Sequence, residues 1–215
     1  ENTDSAKALT ECARIVTEGK ATPPDIVFMF PSSHHREGYE DLPEILYKSI
    51  GQRHMIGCSG GGIIGAGREV ERKAAISLIA GWLPKVNIRP FYGTQETMPN
   101  PDASPRAWRE WMGVTDPRPD FLILSDPFSL DPEDFVQGLD YSFPQSVKIG
   151  GLASGGSEPG ANGIFIDRRF YKRGAVGAAF SGDIAIDPIV TQGCRPIGLP
   201  LQVPPCDKNI IVELD

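Results

Sequence analysis

The sequence predicts a mixed α/β (α+β) protein in which sheets pack in layers with helices outside. Three observations carry this: short continuous apolar runs of strand length, amphipathic stretches of helical period between them, and one order of elements that occurs twice. That order is strand, helix, strand, glycine turn, strand hairpin.

Leu9, Cys12, Ala13 and Val16 recur at helical spacing over residues 5–18, and Gly19 follows as a stop. Pro23 and Pro24 end any helix, and Ile26-Val27-Phe28-Met29-Phe30 then reads as a strand buried on both faces. After the polar loop 31–38, Asp41 stands at the cap of a helix whose Leu42, Ile45, Leu46 and Ile50 share one face, with Gly51 as exit. His54-Met55-Ile56 enters the glycine-rich turn Gly57-Cys58-Ser59-Gly60-Gly61-Gly62. Residues 74–83 and 86–92, joined by Pro84-Lys85, predict a strand hairpin; the Ala-rich first run also allows a helix, and strand is preferred. Residues 94–104, with Pro99 and Pro101, form an irregular connector, and a short helix over 107–113 carries Trp108 and Trp111.

The second half repeats the first. Pro119-Asp120-Phe121-Leu122-Ile123-Leu124 matches Pro24-Asp25-Ile26-Val27-Phe28-Met29, and Asp131-Pro132-Glu133-Asp134 starts a helix with a cap, a first-turn proline and an acidic residue in order. Val147-Lys148-Ile149-Gly150-Gly151 matches Met55-Ile56-Gly57-Cys58, and Ser154-Gly155-Gly156 echoes Ser59-Gly60-Gly61. Residues 174–180 and 184–188 echo 75–81 and 86–90. The expectation is one domain over residues 1–215, with pseudo-repeats at about 20–95 and 115–190 and a strand-rich segment 191–215. Each repeat has more strand than one helix covers, so its sheet must be buried against a partner. Two sheets face to face satisfy this, as does one continuous sheet covered on one side; the layered sandwich is preferred. The final apolar run Asn209-Ile210-Ile211-Val212-Glu213-Leu214 invites pairing with more chain.

Composition removes several function classes. A formal net charge of -7 and a pI near 5.0 repel phosphate backbones, which argues against a nucleic-acid partner. The densest basic spot, Arg168, Arg169, Lys172 and Arg173 around Phe170 and Tyr171, reads first as a solvated turn between two strands and second as an anion site. The four cysteines, Cys12, Cys58, Cys194 and Cys206, lack CxxC spacing and read as reduced thiols, which fits a cytoplasmic or organellar reducing compartment. No run is long and apolar enough for a transmembrane segment. The chain begins at Glu1 without Met, which leaves a removed leader and organelle import open.

Gly57-Cys58-Ser59-Gly60-Gly61 fits G-x-S-x-G, but no helix is signalled after it, and the only histidines, His34, His35 and His54, lie upstream. A hydrolase triad is thereby excluded. Cys58 with a histidine would make a nucleophile and base, the least favoured class. Neither turn has a nucleotide fingerprint, and the His, Cys and carboxylate groups lack metal spacing, so no cofactor and no metal are expected.

The turns do offer backbone N–H groups at the carboxyl ends of strands, where α/β sheets form ligand crevices. For any single glycine, positive φ or close packing is an equal reading, and recurrence in both halves raises the functional one. Ser125-Asp126-Pro127 and Gln192-Gly193-Cys194-Arg195-Pro196 are further polar clusters beside apolar runs. Arg195 would clamp a carboxylate through two hydrogen bonds, or form a structural salt bridge. The candidate ligand-binding set is therefore Gly57, Cys58, Ser59 and Gly60, then Ser125, Asp126, Gly150, Gly151, Ser154 and Gly155, then Gln192, Cys194 and Arg195.

Pro24-Asp25-Ile26-Val27-Phe28, Ile56-Gly57-Cys58-Ser59 with Ile63, Gly65 and Glu69-Val70-Glu71, Ser125-Asp126-Pro127, Ile149-Gly150-Gly151-Leu152-Ala153-Ser154-Gly155, Gly174-Ala175-Val176-Gly177 and above all Gln192-Gly193-Cys194-Arg195-Pro196-Ile197-Gly198 resemble the N-terminal domain of the FIST family over nearly the whole chain. The resemblance implies an intracellular sensory domain of bacterial signalling proteins and of F-box subunits of ubiquitin ligases. It implies small ligands such as amino acids, signal transduction as the role, no established catalysis, and a carboxyl-terminal FIST half as the usual neighbour. The alternative is a protein-interaction scaffold or adaptor subunit of a larger assembly.

Overall fold

The computed structural model of the chain describes residues 2–190 together with Gly193. Helix α1 (Ser5–Val16) starts at Asp4, whose carboxylate accepts from the Lys7 N–H, and buries Ala8, Leu9 and Ala13. The apolar run that follows becomes β1 (Ile26–Pro31), and a 3-10 turn over Ser33–Gly38 leads into α2 (Leu42–Ile50). Gly51 closes α2 with a left-handed φ of 61°, the conformation that glycine adopts without a steric cost. Then come β2 (His54–Cys58), the hairpin β3 (Gly62–Gly65) and β4 (Arg68–Glu71), β5 (Ile76–Gly81) and β6 (Val86–Gly93).

Helix α3 (Pro105–Met112) opens the second half, capped by the Ser104 hydroxyl. It is followed by β7 (Asp120–Ser125), α4 (Pro132–Ser142), β8 (Lys148–Leu152), the hairpin β9 (Ile164–Ile166) and β10 (Arg169–Tyr171), and β11 (Ala175–Gly182). At the start of α4 the Asp131 carboxylate accepts from the N–H groups of Glu133 and Asp134, as its position before Pro132 predicts.

Among the described residues the strands form a five-stranded sheet, β10-β9-β2-β1-β5, and a four-stranded sheet, β6-β11-β7-β8. In the first, β1 pairs in parallel with β2 and antiparallel with β5; in the second, β7 pairs in parallel with β8 and antiparallel with β11. The same three-strand arrangement thus occurs twice. Alternation along each strand sends one set of side chains outward and the other inward. Ile26, Ile56, Leu124, Ile164, Val176 and Phe180 meet between the sheets. Val27, Met29 and Met55 face α1 and α2, while Phe121 and Ile123 face α3 and α4 beneath Trp108. The described residues form a sandwich of two sheets with two helices on each outer face, as the layered reading predicts.

Two connections differ from the sequence expectation. Residues 184–188, expected to echo 86–90 as the second strand of a hairpin with 174–180, form no strand, and β11 pairs with β6 and β7 instead. Residues 74–83 and 86–92 do form consecutive strands, yet β5 and β6 do not pair as a hairpin: β5 stays in the first sheet and β6 crosses to pair with β11 in the second. In exchange, β9 of the second half pairs antiparallel with β2 of the first. Each half therefore supplies strands to the other's sheet. Two of the four basic residues at 168–173 are paired within this exchange: Arg168 makes two hydrogen bonds to Glu44 on α2, at 2.8 and 2.9 Å, and Arg173 pairs with Glu96. Tyr92 on β6 and Tyr171 on β10 stack 3.8 Å apart and close that side of the sandwich.

Candidate functional site

Both parallel strand pairs end in the glycine turns that the sequence singles out, and both glycine strands run very close to their neighbour. A Cβ on Gly57 would overlap the Met29 carbonyl oxygen, and a Cβ on Gly150 would overlap that of Ile123. Only glycine fits at either place. Beyond them the two turns meet: Ser154 N–H donates to the Ser59 carbonyl at 3.0 Å, Ser59 Oγ donates back to the Ser154 carbonyl at 3.0 Å, and Gly61 N–H donates to Ser154 Oγ at 3.0 Å. Gly155 has a φ of 91° and lies against the Gly60 carbonyl, so that a side chain there would be both strained and obstructed.

A buried polar chain braces this junction from behind. Ser59 Oγ accepts from Gly163 N–H, Asn162 Oδ1 accepts from Gly156 N–H, and Asn162 Nδ2 donates to Asp126 Oδ1 at 3.0 Å. Asp126 Oδ2 accepts from Ser129 Oγ at 2.5 Å, and Ser129 Oγ accepts from Gly174 N–H. Asp126 and Asn162 are almost wholly buried, which makes each of these bonds costly to remove. Asn162 escaped the sequence reading because no spacing marks it; its partners are 36 residues away at Asp126 and 103 away at Ser59.

In front of the junction, between the end of β2, strand β3 and the free side of β8, lies a cleft of about 530 Å³. Its walls are mostly apolar: Phe30, Cys58, Ile63, Leu122, Leu124 and Ile149, with Ser59 and Ser154 at the turns. Among the described residues no charged side chain lines it. Of the predicted set, Cys58, Ser59, Gly60, Gly150, Gly151 and Ser154 line the cleft. Gly57, Ser125, Asp126 and Gly155 lie behind it, in the strand, brace and turn described above. Gln192, Cys194 and Arg195 fall outside the described residues.

The hydrogen-bonding groups of the cleft differ from those the sequence suggests. The turn N–H groups of Ser59, Gly60, Gly61 and Ser154 are all engaged within the protein, to Gly163, Pro31, Ser154 and Ser59 respectively. The open groups belong to strand edges instead. Among the described residues strand β8 is the last strand of its sheet, and its pairing with β7 uses alternate residues, with Val147 and Ala153 bonded inward. The N–H and C=O groups of Lys148, Gly150 and Leu152 therefore face outward. By the same alternation across the two-residue turn closed by Gly65 and Arg68, the backbone groups of Gly62 and Ile64 point away from β4.

Cys58 is a buried part of the cleft wall. Burial pushes its thiol up to about 12, so it stays protonated at neutral pH, and thiolate reactivity requires the opposite shift. His35 Nδ1 is 2.9 Å from Ser5 Oγ, His54 Nδ1 is 3.4 Å from Asp167, and His34 is exposed. Among the described residues no group of three or more His, Cys, Asp or Glu converges as a metal site, and no helix is long and apolar enough to cross a membrane.

A family model described as the FIST N domain matches residues 25–215. An uncharacterized protein of Mycobacterium tuberculosis is 28% identical over 212 residues, which cover 98% of this chain and 54% of that protein. An uncharacterized protein of Mycobacterium bovis is 26% identical over 214 residues, covering 98% of this chain and 53% of the relative. The chain spans about half the length of these curated relatives.

Proposed function

The chain belongs to the FIST family, a family of sensory signal-transduction domains, through its N domain, and from that membership we propose that a small ligand is sensed in the cleft between the two glycine turns. The observation that carries this reading is convergence: turns more than 90 residues apart in sequence are bonded to each other and border one concave, mainly apolar space. The lining favours a ligand with an apolar body, and the open backbone groups of Gly150, Leu152, Gly62 and Ile64 favour a rim of amide-like donors and acceptors. Amino acids and small carboxylates meet this description, with Arg195 as the carboxylate partner.

Thermal-shift screening against amino acids, their amides and small carboxylates tests it, because a ligand that binds the native state alone raises its stability by mass action. At least one compound raises Tm; silence from the whole panel would sink the reading. For a carboxylate hit, Arg195→Lys keeps the charge but loses the planar fork, and affinity falls about tenfold or more with little change in Tm. A fall in Tm without a fall in affinity removes Arg195 from the site.

The second reading, an interaction module, is favoured by the edge of β8, unpaired among the described residues, beside Leu152 and Ile64, which are 51% and 73% exposed. A strand from a partner protein would extend that sheet. Sizing under native conditions separates the two, since a monomer that responds to small ligands contradicts it.

A further inference from the structure

The first half of the molecule shows how the edge that no described residue fills on β8 is filled on β2. There, β9 lies antiparallel on β2, with Gly57 opposite Phe165 and Cys58 opposite Ile164. Gly57 and Gly150 are placed alike, each pressed against a carbonyl of the central strand, so β8 offers the same edge. The hairpins correspond as well. Gly65 and Arg68 close β3–β4 as Ile166 and Arg169 close β9–β10, across a two-residue turn whose first residue has positive φ, Ala66 at 49° and Asp167 at 50°. Strand β3 already borders the same cleft as β8.

Taking the two halves as copies of one unit, we propose that β3 closes onto the free edge of β8 as an antiparallel strand, with Ile64 opposite Gly150 and Ile63 opposite Gly151, and that the cleft is the space this closure removes. The outward-facing backbone groups of both strands are the ones this register pairs: Ile64 and Gly150 exchange two hydrogen bonds, and Leu152 N–H donates to the Gly62 carbonyl. Closure also covers Ile64, whose counterpart Phe165 is fully buried.

Why β9 is docked and β3 stands open follows from three positions. Phe165 packs edge-on against Tyr39 with ring centroids 5.3 Å apart, Phe170 lies on the same ring at 5.9 Å, and Arg168 clamps Glu44 while lying 4.5 Å over the Tyr47 ring. In β3–β4 the matching positions are Ile64, Glu69 and Gly67. The copy without aromatic anchors and without the arginine clamp gains less on docking, and a weakly held strand is a two-state element that a ligand can bias. Glycines at 60–62 on one side and Arg72, at a φ of 54°, on the other give the hairpin its pivots. A ligand in the cleft excludes β3 from β8, so the position of the hairpin reports occupancy; this coupling rests on the sensory reading, whereas closure does not.

Disulfide trapping in the ligand-free chain tests closure alone. Ile63→Cys with Gly151→Cys places thiols at a directly opposed pair, and a Cβ at Gly151 meets nothing within 4 Å. Peptide mapping finds this bond after mild oxidation and does not find one in the off-register pair Ile63→Cys with Leu152→Cys. In the oxidised in-register variant the amides of Ile64, Gly150 and Leu152 exchange about tenfold or more slowly than in its reduced form. Equal cross-linking of both pairs, or unchanged exchange after oxidation, overturns the proposal. If the variant does not fold, amide exchange of the unaltered chain decides: those three amides protected together support closure, and exchange at the rate of exposed loop amides overturns it. Failure of every compound in the ligand screen leaves these results untouched, so the two readings fail separately.

Discussion

His35 lies where α1 meets the 3-10 turn, its Nδ1 against Ser5 Oγ and its Nε2 enclosed without a protein partner among the described residues. Burial lowers its pKa below the ordinary 6.5, and the neighbouring His34 adds to the effect. The folded form thus holds a neutral ring while the unfolded chain takes up a proton as pH drops below about 6.5. Because the unfolded state then binds more protons, stability falls with pH from about 6.5 down to the lowered pKa, by up to about 1.4 kcal/mol per unit. Urea titrations between pH 7.5 and 5.5 show that slope in the wild type and a flatter one in His35→Gln; equal slopes would remove His35 as the cause. At this scale the sequence is legible only in part. The glycines at 57 and 150 stand out because no other residue fits, whereas His35 and Asn162 acquire their roles from partners 30 and 36 residues away.

The elements were the most legible part, since each carries its own pattern: Leu42, Leu46 and Gly51 announce α2, and Asp131-Pro132 announces α4. Helix α4 also contains a choice that local propensity opposes. Gly138 sits in its middle, and Ala there would ordinarily add about 1 kcal/mol to helix stability. A Cβ at Gly138 overlaps the indole of Trp108, which projects from α3, is fully buried and stacks on Phe135. Gly138→Ala is therefore destabilising by about 1–3 kcal/mol, visible as a lower Tm, and a raised Tm would contradict the packing account. Pairing between elements was less legible. The turn at Pro84-Lys85 looks like a hairpin because proximity in sequence is all the sequence offers, while the pairing of β6 with β11 is set by how two sheets share one interior. Strands β3, β4, β9 and β10 escaped for a related reason: at three or four residues each, they are too short to show alternation.

For the whole molecule, the exchange of β6 and β9 between halves means that neither sheet is complete without the other half, and the turns that the halves bring together border the cleft. The most direct test of sensing at that place uses the contrast between neighbouring glycines. Gly150 has no room for a side chain, while the space over Gly151 opens into the cleft. Gly151→Phe should fill the site and leave the fold intact. The measurement is the thermal-shift panel of amino acids, amides and small carboxylates run in parallel on the wild type and Gly151→Phe. With the cleft filled, Gly151→Phe melts within a few degrees of the wild type and responds to none of the compounds that raise the wild-type Tm. Equal responses from the two proteins would show that the ligand binds elsewhere, and would contradict it.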